Sequence, residues 1–162
     1  MTPPKQPTEA DLVILNEAQG AELAVRDLYD AALLVGGFSD VQTSVLISFR
    51  NHHTAYAQAL NGVLGKSAVN MRSETVYSAY RDQVRASTTA LKTLQSLENV
   101  LVATHTAIVG LLVGLDAANL MASILIVEAR LAAVYGTAPE LDLASALDDS
   151  AVSLVVASSV EG

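Results

Sequence analysis

The sequence predicts an all-α domain, an antiparallel four-helix bundle with a short crossover helix and a C-terminal extension, on three observations. Apolar residues recur at alternating spacings of three and four through four long segments, the period of one buried helix face. Capping residues and glycines punctuate those segments. Hydrophobic residues make up 51% of the chain but aromatics only 4%, with no Trp, so the core is built mainly from Ala, Leu and Val, which suits closely packed helices. At 162 residues one domain is expected: residues 1–8 as a flexible lead-in, 9–138 as the bundle, and 139–162 as a tail, partly helical or extended.

The first helix starts at Thr8, where a hydroxyl caps and Glu9 and Asp11 place carboxylates in the first turn, and stops at Gly36 and Gly37. The second starts at Ser39, with Gln42 completing a capping box, and runs to the region of Gly62 and Gly65. Residues 66–73 read as a connection, and residues 74–84 as a short polar helix across the bundle end. The third long helix is expected from about Ser87 to about Val113. Asp116 is the expected cap of the fourth, which stops at Gly136 ahead of Pro139. Short connections make the first and second helices antiparallel, and likewise the third and fourth. Residues 140–149 are a candidate further helix, and the Val-rich residues 150–162 either dock in extended form or stay mobile.

Composition removes several function classes. A net charge of −8 lacks the clustered Lys and Arg that a nucleic-acid backbone requires. With no Cys, disulfides, thiolate metal sites and Cys nucleophiles are excluded. No G-x-S-x-G turn or phosphate-binding glycine loop is present. The apolar run over residues 111–126 is interrupted by Gly114, Asp116 and Asn119, so it reads as a helix–loop–helix junction and no transmembrane segment is expected. No secretory signal precedes Pro7, so the chain as given reads as cytoplasmic, or as exported if a signal has been removed. Self-association, as a dimer through an outer helix face, or binding to another protein is the expected partnership.

Each apolar stripe carries a polar member near its middle. The first helix offers Leu15, Ala18, Glu22, Val25, Tyr29 and Ala32, and the second Leu46, Phe49, His53, Tyr56, Leu60 and Val63. The third offers Leu91, Leu94, Glu98, Leu101, His105, Ile108 and Leu112, and the fourth Met121, Ile124, Glu128, Leu131 and Tyr135. Mid-helix positions fall at similar heights in an antiparallel bundle, which gathers Glu22, His53, Tyr56, Glu98 and Glu128 into one layer. Three buried carboxylates require compensation by a metal, by protons, by a network with Tyr29 and Tyr56, or by Arg26, Arg50 or Arg130 reaching inward. The competing account places all three at a solvated bundle rim. His105 lies two turns from Glu98, roughly 10 Å along the axis, and is expected to be structural.

At these residues the chain resembles the ferritin-like superfamily, in particular the small actinobacterial-type ferritin-like domains, over about residues 10–136. The resemblance rests on Glu22 with Tyr29, the stretch from His53 through Tyr56 to Leu60, Leu97 with Glu98, and Glu128 with Arg130. It implies a dimetal site with one Glu from each of the first and third helices and a Glu-x-x-His pair from each of the second and fourth. Glu22, Glu98 and Glu128 match that pattern. His53 stands where a Glu is expected, and Tyr56 and Leu131 stand where the two His are expected.

The resemblance therefore implies a degenerate dimetal-carboxylate site. The leading expectation is a non-catalytic structural or protein-interaction module with a decayed di-iron centre. The alternative is a metalloprotein holding one Fe, Mn or Zn through Glu22, His53, Glu98 and Glu128, with oxidase-type activity. A storage or cage subunit is a third and weaker reading.

Overall fold

The computed structural model describes residues 2–135 and 150–154. Five α-helices follow in order: α1 Glu9–Val35, α2 Asp40–Leu64, α3 Glu74–Val84, α4 Ser87–Leu111 and α5 Leu115–Tyr135. The described residues contain no strand. Both sequence-read helix starts carry full capping boxes. Thr8 accepts from Asp11 N while the Asp11 side chain accepts from Thr8 N, and Ser39 and Gln42 do the same for α2. Each such cap stabilises its helix by about 1 kcal/mol.

The long helices α1, α2, α4 and α5 form the bundle, with α1 against α2, α4 against α5, and the pairs joined through α1–α4 and α2–α5. The crossover differs from the expected cap across one end. Ser73 N donates to Gly20 O in the middle of α1 at 2.8 Å, and α3 then runs along α1 until Ser87 meets Gly37. Gly20 permits this approach, because a Cβ there would lie 3.3 Å from Met71 O. Val76 and Val84 bury one side of α3 against α1 and α4, and Arg72 fastens its start, pairing with Asp27 and Glu74 and lying over the Tyr77 ring. The connection thus traverses the bundle length, so α4 re-enters at the end where α1 finishes and runs antiparallel to it.

Residues 4–8, expected as a flexible lead-in, cross the α4–α5 turn. Leu115 N and Asp116 N donate to Pro4 O and Lys5 O, and Val113 N and Gly114 N donate to the buried Asp11 carboxylate. Asp116 is therefore not the cap of α5 but lies in its first turn. The first two N–H groups of α5 are satisfied from the other end of the chain. Helix α4 ends two residues earlier than expected, which releases Val113 for this contact. The break at residues 112–114 bears out the helix–loop–helix reading. Helix α5 is long and apolar enough to cross a membrane by length and composition alone, with mean hydropathy 1.6, and its inner face, Glu128 included, is buried in the bundle.

Residues 150–154 lie along α4, where Leu154 N donates to Thr104 Oγ1 at 2.9 Å. The expected stop at Gly136 and Pro139, the candidate helix over 140–149 and residues 155–162 fall outside the described residues.

Candidate metal centre

All three sequence-read glutamates and His53 are 0% exposed, as is His105, which excludes the rim account. The structure brings them together in two layers, not one. Glu22 and Tyr29, Glu98 and His105, and Glu128 and Tyr135 are each seven residues apart on one helix, two turns or roughly 10 Å. Because α4 runs opposite to α1 and α5, Glu98 falls level with Tyr29 and Tyr135, while His105 falls level with Glu22 and Glu128. His53 on α2 bridges the layers, with Nδ1 2.8 Å from Glu22 Oε2 and Nε2 3.0 Å from Glu98 Oε1.

The polar groups form one hydrogen-bonded chain from Tyr135 to Glu22 and a separate His105–Glu128 pair facing its end. Tyr135 and Tyr29 share a hydrogen bond of 2.9 Å, and the Tyr29 hydroxyl donates to Glu98 Oε1 at 2.5 Å. Glu98 leads through His53 to Glu22, where the chain ends: Glu22 Oε1 approaches His105 Nε2 to 3.5 Å without hydrogen-bonding it. His105 Nδ1 is 2.5 Å from Glu128 Oε2. Aromatic packing fixes the rings: Tyr29 stacks on His53 with centroids 5.3 Å apart, and Phe49 packs edge-on to Tyr29 and Tyr135.

Two sequence expectations are corrected here. His105 is no remote structural residue but a member of the lower layer. The axial distance from Glu98 misled, because Glu22 and Glu128 lie at the level of His105 rather than of Glu98. The seven-residue spacing of His105 from Glu98, repeated in α1 and α5, was the signal in the sequence. Tyr56 was expected to bond a carboxylate like Tyr29. Its hydroxyl is instead buried without a partner, while its ring stands edge-on to His53 at 5.9 Å. Nor does any arginine reach inward. Arg26 pairs with Asp27, Arg50 pairs with Asp30, and Arg130 is exposed.

Without a cationic side chain from outside, protons set the charge balance. Burial and the nearby Glu128 push the Glu22 carboxyl up to about 7, against the pull of His53 and His105. Burial opposes an imidazolium at His53, but Glu98 and Glu22 overcome it and hold the ring well above its ordinary value. His105 is likewise raised, burial being outweighed by Glu128. Burial would raise Glu128, yet the charge and the hydrogen bond of His105 hold it below its usual range. With a proton favoured on Glu22 and imidazolium favoured at His53 and His105, the cluster can offset its own buried negative charge.

The same donors suit a metal. One ligand atom from each of Glu22, His53 and Glu128 can be chosen so that all lie within 4.8 Å of one another. Glu22 Oε1, Glu128 Oε1, Glu98 Oε2 and His105 Nε2 are buried and lack hydrogen-bond partners, and buried polar atoms seldom remain so. A carboxylate and imidazole set without sulfur fits a divalent ion such as Fe, Mn or Zn.

A four-helix bundle with a full-length crossover and carboxylates and imidazoles projecting into its core defines the class of helical carboxylate-bundle proteins. The chain belongs to the ferritin-like domain family, whose model matches residues 10–140. No curated protein and no solved structure shows significant similarity to it.

Proposed function

We propose that this ferritin-like domain is a metal-binding protein whose lower layer holds a single divalent ion through Glu22, His53 and Glu128, with His105 Nε2 as a further donor. The carrying observation is the convergence of three ligand groups within 4.8 Å beside buried oxygen and nitrogen atoms that lack partners. Glu98 acts here as a positioning residue. It accepts from His53 Nε2 and is itself fixed by Tyr29, which leaves His53 Nδ1 directed at the layer of Glu22. This set replaces Glu98 by His105 among the ligands expected from the sequence. Two imidazoles and two carboxylates form an N₂O₂ donor set with one imidazole from each of α2 and α4. A bound ion would supply Lewis-acid chemistry, and with Fe or Mn a redox centre. The protein's own groups would contribute a dry enclosure and exchange protons for the metal.

A second reading, the decayed centre, is favoured by the charge balance the cluster reaches with protons alone. The domain's role is then structural or one of self-association. Elemental analysis of protein purified without chelator, with thermal melting before and after chelation, separates the two. A stoichiometric metal whose removal lowers the melting temperature supports the metal reading. A metal-free protein that rebinds none of Fe, Mn or Zn refutes it.

A further inference from the structure

The Tyr56 hydroxyl is the one polar group at the cluster that neither the chain of hydrogen bonds nor the donor set uses. It is buried and has no partner within hydrogen-bonding reach, although the residue as a whole is 8% exposed. Its ring is held on two sides, edge-on to His53 at 5.9 Å and stacked on the half-buried His52 at 5.9 Å, so the hydroxyl is fixed in place and is not a free rotor. Three residues after His53 on α2, which runs opposite to α1, Tyr56 lies roughly one helical turn further toward the level of Glu22 than the bridging His53 does, and burial raises its phenol above the ordinary value. Glu22 Oε1, Glu128 Oε1 and His105 Nε2 around that layer lack partners as well. Buried polar atoms seldom stay unpartnered, and a small bound species between this phenol and those atoms would satisfy them together. Tyr56 is also the most exposed member of the cluster, with the others between 0% and 3%, so it marks the side from which such a species would enter.

We infer that Tyr56 is the ligand-facing donor of this site, its hydroxyl hydrogen-bonding a small exogenous anion held at the metal layer. The inference rests on the metal reading above. It makes Tyr56 a specificity residue for the second ligand rather than a metal ligand, and it separates the roles of the two core phenols: Tyr29 orients Glu98, and Tyr56 meets what arrives.

The test uses the full chain, cobalt(II) as spectroscopic metal and azide as anion, in wild type and Tyr56→Phe. The substitution keeps the ring between His52 and His53 and removes only the hydroxyl. Metal-free Tyr56→Phe is expected to melt at or slightly above the wild-type temperature, because the lost group has no partner there. Cobalt stoichiometry and affinity are expected to be unchanged, and azide, read from the visible cobalt bands, is expected to bind more weakly by on the order of tenfold or more. Wild type that takes up no cobalt refutes the metal reading and this inference with it. If wild type takes up cobalt, equal azide affinity in the two proteins, or failure of wild-type azide binding, refutes the inference alone. A collapse of cobalt affinity in Tyr56→Phe also overturns it, by making Tyr56 a metal ligand.

Discussion

Replacing Glu22 by glutamine separates the proton on this side chain from its shape. Burial and Glu128 raise Glu22 from 4.5 to about 7. At about 1.4 kcal/mol per tenfold change in proton affinity, ionising it in the folded state costs about 3 kcal/mol. The folded state binds this proton more tightly than the unfolded one, so the stability it contributes is full at low pH and is lost as pH rises from 4.5 to about 7. His53 and His105, both raised above 6.5, act in the same direction: their contribution is present below 6.5 and is lost as pH climbs through their folded values. Glu128, held below 4.5, acts oppositely and loses its contribution on acidification. The metal-free protein is therefore expected to be most stable on the acid side of neutrality.

Glutamine reproduces the shape of the protonated carboxyl, keeps an oxygen for His53 and never ionises. In chelator at pH 8, Glu22→Gln should be more stable than wild type by about 3 kcal/mol, or roughly 6–12 °C in melting temperature for a domain of this size. At pH 5 the gap should shrink to about 1 kcal/mol or less. Urea and thermal melts at both pH values provide the assay. A difference that is independent of pH, or a glutamine variant less stable than wild type at pH 8, would refute the reasoning.

Further expectations attach to single residues. His105→Ala leaves the buried Glu128 carboxylate without its 2.5 Å partner, which should cost about 3–5 kcal/mol in urea melts and weaken metal uptake by dialysis. Glu98→Leu leaves His53 Nε2 without its acceptor and Tyr29 with Tyr135 alone, so metal affinity should fall about 10–100-fold although Glu98 is outside the proposed ligand set. Unchanged affinity would remove Glu98 from the positioning role. Gly114→Ala places a Cβ 2.7 Å from Gln6 O and 2.8 Å from Pro7 Cα, both backbone atoms. A loss of about 1–3 kcal/mol is expected, with faster amide exchange at Leu115 and Asp116.

What the sequence disclosed follows from how local each signal is. Thr8 with Asp11 and Ser39 with Gln42 sit three residues apart, so the starts of α1 and α2 could be read directly. The start of α5 could not, because Leu115 N and Asp116 N donate to Pro4 and Lys5, and the preceding Gly114 N to Asp11, all more than 100 residues away in the chain. The site divides the same way. Periodicity put Glu22, His53, Glu98 and Glu128 on inner faces, and burial bears this out. Their relative heights depend on how far each helix slides against its neighbour, which the crossover along α1 sets and no single stripe encodes. That register turned the expected single layer into two and brought His105 in. It also left the Tyr56 hydroxyl beside the carboxylates without bonding them.

The most direct test titrates metal-free protein with Zn²⁺ or Mn²⁺ in weakly buffered solution near pH 6.5 while recording both metal bound and protons released. Loading the cluster must displace the protons carried by Glu22, His53 and His105, so one equivalent bound with release of roughly two to three protons is expected. No uptake, or uptake with no proton release, as surface carboxylates would give, would contradict the claim that this buried cluster is a metal site held in its protonated state.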